Sequence, residues 1–253
     1  SDLSLYELQD PPIGEAEKTI AQYAAEMVHD GDCIQLGFGG IPNAIGFELM
    51  NRHDLGIHTE QIGASMAHMI QSGVVTNRYK NLDRGWSVGA FIIADNFTYN
   101  YVNNHPRIMM RRGRYTNDPM IIAQQDNMVS INAALQIDLT GQVAAEAIGT
   151  VQWSGTGGAT DYAYGAYHSR GGRAMLCQIS TAKKGTVSRI APILDPGSIV
   201  SVSRNLTDMV ITEYGVAKLR QRTVKQRVEN LIAVAHPDFR AELRKEANKY
   251  MYF

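Results

Sequence analysis

Residues Cys33 to Met50, CIQLGFGGIPNAIGFELM, pass from a short apolar run through a glycine cluster into a stretch with helical spacing. Cys33 to Leu36 predicts a short buried strand. Pro42 suits a first helical turn because its φ is already fixed near the helical value, and Ile45 and Leu49 follow four apart on one face. A strand, a tight turn and a helix in succession are the start of an α/β layer. Gly37, Gly39 and Gly40 let backbone N–H groups turn into a cleft, with the helix N-terminus behind them favouring an anion. The pattern is not the dinucleotide G-x-G-x-x-G, since Pro42 falls where the helix begins and no ribose-reading acid follows at the usual distance. A packing turn and an anion or oxyanion loop both fit these residues.

On the N-terminal side, Gly14 to His29 carries Ile20, Tyr23, Ala24, Met27 and Val28 at one-faced helical spacing, stopped by Asp30-Gly31-Asp32. Residues 1–12 lack periodicity and end in a proline pair, and are read as a linker remnant ahead of a domain over 13–253. On the C-terminal side lies LGIHTEQIGAS, Leu55 to Ser65. Apolar Leu55, Ile57 and Ile62 bracket a polar step, so Glu60 is placed where a buried strand meets a loop, ahead of a helix over Met66 to Gly73.

Further along, strands are predicted at Val88 to Ile93, Ile108 to Met110, Ala174 to Ile179, Ile190 to Ile193, Ile199 to Val202 and Met209 to Thr212. Helices are predicted at Asn96 to Asn103, from Asn117-Asp118-Pro119 to about Gln125, and at Val216 to Lys218, Thr223 to Val234 and Pro237 to Tyr250. Met128 to Val143 reads as a strand hairpin turning at Thr140-Gly141. Gln152 to Tyr164 is a second glycine-rich loop. Helices early and strands throughout predict an α/β fold, an open mixed sheet with flanking helices.

The 253 residues carry a formal net charge of -1, with 44% hydrophobic and 19% charged residues, enough apolar material for a sizeable core. Such a balance offers no field for nucleic acid or an anionic membrane, and Arg107, Arg111, Arg112 and Arg114 form only a local basic patch. Cys33 and Cys177 each fall in an apolar run, which fits reduced thiols of a cytoplasmic protein. The seven histidines lack ligand spacing, so no metal is proposed, and no apolar run reaches a membrane span.

GFGGIPNAIG, LGIHTEQI, TNDPMIIAQQDNMVSINAALQIDLTGQVAAEAIG, QWSGTGGATDYAYGA, STAKKGTVSRIAPILDPGSIVSVSRN, ITEYGVAKLR and AHPDFRAEL occur in this order. Together they resemble the C-terminal domain of the acetyl-CoA hydrolase/transferase family, over the chain from about Pro12 onward, with 4-hydroxybutyrate and butyrate CoA-transferases the nearest in appearance. The resemblance implies a family I CoA-transferase, with coenzyme A as a substrate and no metal. In that chemistry a glutamate attacks an acyl-CoA to give an acyl-glutamyl anhydride, the thiolate then forms a glutamyl-CoA thioester, and an acceptor carboxylate reverses the sequence. By position in the HTE motif that glutamate is Glu60. A carboxylate is a weak nucleophile whose anhydride a thiolate readily attacks, so one hard exchange becomes several easier ones.

The same resemblance assigns oxyanion-binding amides to the loop holding Gly155, Gly157 and Gly158, and a pocket amide to Asn132. It places Glu213 of the TEYG motif near the site. Lys183, with Lys184 and Arg189 beside it, and Arg204 become candidates for the CoA phosphates or an acyl carboxylate. Many relatives read HSEMxSDG where this chain has HTEQIGAS, so the turn after Glu60 differs. Relatives also carry an N-terminal domain, which implies a complementary domain or subunit here, and an oligomer. Three other readings compete: a serine hydrolase using Ser65 in the elbow-like GASMA, an acyl-CoA hydrolase in which water intercepts the Glu60 thioester, and a non-catalytic CoA-binding subunit. His58 is read as structural.

Overall fold

The computed structural model describes residues 5–8 and 12–250; most of the predicted linker over 1–12 lies outside them. The chain runs through α1 (Glu15–Glu26), β1 (Cys33–Leu36), α2 (Gly40–Glu48), β2 (Gly56–Ile57), α3 (Ala64–Gln71) and β3 (Met128–Ala133). It continues through α4 (Ala159–His168), β4 (Arg173–Cys177), β5 (Met209–Thr212), β6 (Gly215–Lys218), α5 (Val224–Val234) and α6 (Pro237–Lys249). The six strands form one sheet in the order β6-β5-β4-β3-β1-β2, parallel except for the antiparallel edge strand β6.

Side chains alternate between two cores, as strands buried on both faces require. Ile34 and Leu36 of β1, Val129 and Ile131 of β3, Met175 of β4 and Ile211 of β5 pack toward α1, α2 and α3. Cys33, Met128, Leu176 and Val210 face the other way, toward Tyr162, Ala163 and Ala166 of α4 and the apolar stripe Val228, Leu231 and Ile232 of α5. Burying Ile20, Ala21, Ala24 and Ala25 fixes α1 to the sheet. Thr223 starts α5 with a reciprocal capping box, its side chain accepting from the Gln226 N–H while Gln226 Oε1 accepts from the Thr223 N–H.

Strand order decides where a site can form. β1 connects through α2 to β2 on one side, while β3 lies on its other side, so the chain reverses its winding between β1 and β3. Open parallel sheets bind ligands at such a point, beyond the carboxyl ends of the strands. Gly37 follows β1 there and Asn132, the penultimate residue of β3, lies opposite it. A Cβ on Gly37 would lie 2.5 Å from Asn132 Oδ1, so glycine is required by space.

Several local expectations are corrected. Val216 to Lys218 is strand, not helix: Gly215, at φ 128°, closes a two-residue hairpin and returns the chain antiparallel to β5. So short a run is too brief for periodicity to separate the two states. Met128 to Val143 is not a single hairpin. β3 joins the main sheet, and Gln136–Asp138 pairs with Val143–Ala144 in a separate small sheet completed by Ile190–Ala191. Ile199 and Val200 are half-exposed outside any strand, and Val202 contributes one isolated bridge to Val143. The strand expected over Val88 to Ile93 shortens to Ser87–Gly89, and the second glycine loop ends at Gly158, where α4 begins.

Candidate active site

Glu60 lies three residues beyond the end of β2 and sits partly exposed at the carboxyl edge of the sheet. Its backbone is pinned on both sides. The Thr59 N–H donates to Val88 O at 2.9 Å, and Glu60 O accepts from the Ala90 and Phe91 amides at 2.7 and 3.1 Å. The Gly158 N–H, at the N-cap of α4, donates to Glu60 Oε2 at 3.1 Å. Gly158 has φ -77°, open to any residue, yet a Cβ would meet Asn117 Nδ2 at 2.6 Å and Glu60 Oε2 at 2.9 Å. Here glycine is needed for the close approach of backbone to carboxylate.

Beneath Glu60 lies a buried layer of polar side chains. His58 is fully buried, its Nε2–H donating to Thr116 O at 3.1 Å, and Tyr162 OH donates to the same carbonyl at 2.8 Å. Burial, and next the charge of Lys80, push the His58 pKa down to about 4, so its ring is neutral and serves structure, as its sequence context predicts. Lys80 is itself buried, with Nζ donating to Ile57 O at 2.9 Å and to Trp86 O at 2.7 Å. Those two bonds tie the strand carrying Glu60 to the neighbouring loop.

Asn117, Asp161 and Tyr162 complete the surroundings of Glu60, and the sequence reading had not singled them out. Burial first, and then the nearby charge of Glu60, raise the Asp161 pKa, while the Asn117 amide beside it favours the charged form. The Tyr162 pKa is likewise raised, by burial and then by Glu60. A usable signal was present in GGATDY: Asp161 follows Gly158 by three residues, which puts it in the first turn of any helix starting there.

The other predicted residues divide. Gly37 and Gly39 line a small pocket with Asn43, Gln61 and Gly63, and Gly40 opens α2 behind Gly39, whose φ is 124°. Asn132 is buried with its amide fully engaged: Oδ1 accepts from Gln35 Nε2 at 3.0 Å, and Nδ2 donates to Gln35 Oε1 at 3.1 Å and Ser130 Oγ at 3.0 Å. Glu213, in the hairpin after β5, accepts from the Ser180 N–H at 2.8 Å and from Ser180 Oγ at 2.6 Å. Gly155 and Gly157 lie in the exposed loop before α4. Lys183 lines a separate apolar cleft of about 310 Å³ with Leu135, Trp153, Arg189 and Asp195. Arg204 packs at the Gly141 turn and its carbonyl accepts from Arg227 Nη1 at 2.8 Å, contacts that do not involve Glu60. Ser65 is 1% exposed within α3, and a Cβ on Gly46 would touch its Oγ, so the serine elbow is excluded by burial against α2. Among the described residues, no helix is long and apolar enough to cross a membrane.

Beyond the carboxyl ends of the parallel strands, near the switch point, the Glu60 carboxylate is thus held against the helix-capping amide of Gly158. Residues 95–247 match the acetyl-CoA hydrolase/transferase C-terminal domain, and the chain belongs to that family. It is 46% identical over 248 residues to a succinyl-CoA:cyclohexane-1-carboxylate CoA transferase of Geobacter metallireducens, covering 98% of this chain and 57% of that protein. It is 45% identical over 245 residues to the 4-hydroxybutyrate coenzyme A transferase of Clostridium kluyveri, covering 97% and 57%. The crystal structure of RipA from Yersinia pestis superposes with a TM-score of 0.95 at 43% identity, over 99% of this chain and 57% of that one. The chain therefore spans less than two thirds of the length of these relatives.

Proposed function

We propose that the protein transfers coenzyme A between a short-chain acyl-CoA and a carboxylate, with Glu60 as the covalent nucleophile. The observation that carries this reading is the 3.1 Å hydrogen bond from the Gly158 N–H to Glu60 Oε2. Glu60 attacks the acyl-CoA carbonyl, expelling the CoA thiolate and leaving an acyl-glutamyl anhydride. The thiolate then attacks Cδ of Glu60, the first carboxylate leaves, and a glutamyl-CoA thioester remains. An acceptor carboxylate runs the two steps in reverse. Each attack on Cδ places negative charge on the glutamyl oxygen, and an amide already aimed at Oε2 stabilises that charge without reorganising.

The named activities of the relatives support transfer. Their greater length supports a pocket for the carboxylate completed by a part of the protein beyond this chain. Hydrolysis would follow the same route, with water replacing the acceptor at the thioester.

The test incubates the protein, in its longest natural form, with an acyl-CoA and no acceptor, traps with hydroxylamine or borohydride, and maps the modified peptide by mass spectrometry. Modification at Glu60 is expected. An unmodified Glu60 in a preparation that binds CoA would replace this reading with a non-catalytic CoA-binding role.

A further inference from the structure

A cavity of about 570 Å³ opens at the end of the sheet opposite Glu60. Arg173 and Met209, which begin β4 and β5, form part of its wall, together with Lys218 at the end of the antiparallel β6 and Glu26 and Met27 at the end of α1. The chain leaves β6 as Lys218-Leu219-Arg220-Gln221-Arg222. Leu219 is fully buried, and the Leu219 and Arg220 amides donate to Asp208 O at 2.7 and 3.2 Å, which pins the segment beside the start of β5. The Arg222 N–H then donates to Leu219 O at 3.2 Å, closing a turn in which Gln221 takes a left-handed φ of 58°. Pinned and turned in this way, the segment brings Lys218, Arg220 and Arg222 to the cavity that Arg173 also lines.

These four cations are not equally engaged. Arg173 is ion-paired with Asp32 and donates to Gly171 O at 2.9 Å. Arg220 lies over the Tyr167 ring at 4.0 Å and donates from Nη2 to Tyr167 O at 3.0 Å, leaving its other N–H groups for a ligand. The side chains of Lys218 and Arg222 make no hydrogen bond or ion pair among the described residues. Two carboxylates share the cavity: Asp208, which accepts from the Ala174 N–H at 3.3 Å, and the exposed Glu26. Arg220 offsets Asp208 and Arg173 offsets Asp32, so Glu26 alone opposes the charges of Lys218 and Arg222.

Size and charge together narrow the ligand. Small-molecule sites measure about 300 to 1,000 Å³, and a lone inorganic anion would leave this one mostly empty. A guanidinium fork and an ammonium point charge side by side match the oxygens of phosphate groups. Met27 and Met209 add a polarizable, apolar stretch of wall that suits a flat ring.

We propose that this cavity is a second ligand site, which binds a small molecule carrying a diphosphate group, with Lys218, Arg220 and Arg222 on the phosphates. The site is separate from the proposed nucleophile and stands whether or not Glu60 forms a covalent intermediate.

The experiment titrates ADP, inorganic pyrophosphate and adenosine into the longest natural form of the protein by calorimetry. Wild type is compared with Lys218→Ala, Arg222→Ala, the double variant of both, and Lys183→Ala. Wild type is expected to bind ADP, pyrophosphate or both with a Kd of about 1 mM or tighter, and adenosine far more weakly. Preference for ADP identifies a nucleotide as the ligand, and equal binding identifies the diphosphate as sufficient; both support the proposal. Losing a hydrogen bond to a charged group costs about tenfold or more, so each single variant is expected to weaken binding by at least about tenfold and the double variant by about 100-fold, with little change in thermal midpoint. Lys183→Ala, in the separate cleft beside Trp153, is expected to change binding by less than about twofold. The proposal is overturned by the absence of binding by either phosphate compound, by adenosine binding as tightly as ADP, or by binding that survives the double substitution. Binding lost in Lys183→Ala and kept in the double variant also overturns it, by moving the ligand to that cleft. Arg222→Ala keeps the test decisive should the double variant unfold, since the Arg222 side chain is exposed and bonds to nothing among the described residues.

Discussion

The Gly158 amide and the Glu60 carboxylate are joined by a 3.1 Å hydrogen bond although 98 residues separate them in sequence. The bond joins the end of β2 to the start of α4, and it makes Glu60 a fixed feature of the fold rather than a loop side chain. Replacing Glu60 with Gln keeps the size and the acceptor oxygen but removes the nucleophile. Transfer is expected to fall by about three orders of magnitude or more, with loss of the hydroxylamine-trapped adduct and little change in acyl-CoA binding measured by calorimetry.

Gly158→Ala separates backbone strain from crowding. Alanine adopts φ -77° freely, so the fold is expected to melt within a few degrees of the wild type. Its methyl group would press on Glu60 Oε2 and Asn117 Nδ2, and kcat is expected to drop by about 100-fold, the usual cost of spoiling one oxyanion donor. Equal losses in kcat and in unfolding free energy would show instead that the residue matters only for packing.

His58 gives the stability of the domain a pH dependence. Its folded pKa is near 4, against 6.5 for an exposed ring, so the unfolded chain binds the proton more readily. The stabilisation is complete above pH 6.5 and is lost as pH falls toward 4. Its size is about 3 kcal/mol at most. Urea denaturation at pH 7 and pH 5 should show this decline, and His58→Gln should flatten it while lowering the stability at pH 7.

The two thiols should be silent in the native state. Burial pushes Cys177 up to about 12 and, as the main cause, Cys33 up to about 11. Ellman's reagent at pH 8 is expected to react at least about 100-fold more slowly than with the unfolded chain, since thiolate and access are both lacking. Rapid reaction of one thiol would reveal local opening of β1 or β4.

Much of this arrangement was legible in the sequence, because it depends on residue types that have few other uses. The strand, glycine turn and helix of Cys33 to Met50 announced the α/β layer, and Glu60 read as a residue at a strand end, whereas its pairing with the downstream glycine loop came only from the family resemblance. What stayed hidden depended on tertiary partners. Asn117 and Asp118 read as a helix start, and Asp118 does cap the next short helix by accepting from Met120 N–H, which concealed that Asn117 turns inward. Lys183 and Arg204 looked alike as basic residues beside turns, and only the folded chain separates one in a cleft from one packed at the Gly141 turn.

The triangle of Gln35, Ser130 and Asn132 has a consequence for how this sequence can change. Ser130 Oγ donates to Gln35 Oε1 at 2.9 Å, and Gln35 and Asn132 exchange two more bonds, all on the face of the sheet that carries α4. Altering one member strands buried donors or acceptors on the others, while replacing all three with apolar groups of matching shape need not. The three positions therefore form one energetically coupled unit spread across 98 positions of the chain. A drift in any one of them is tolerated only alongside its partners, and a double-mutant cycle between β1 and β3 would register that epistasis as strong non-additivity.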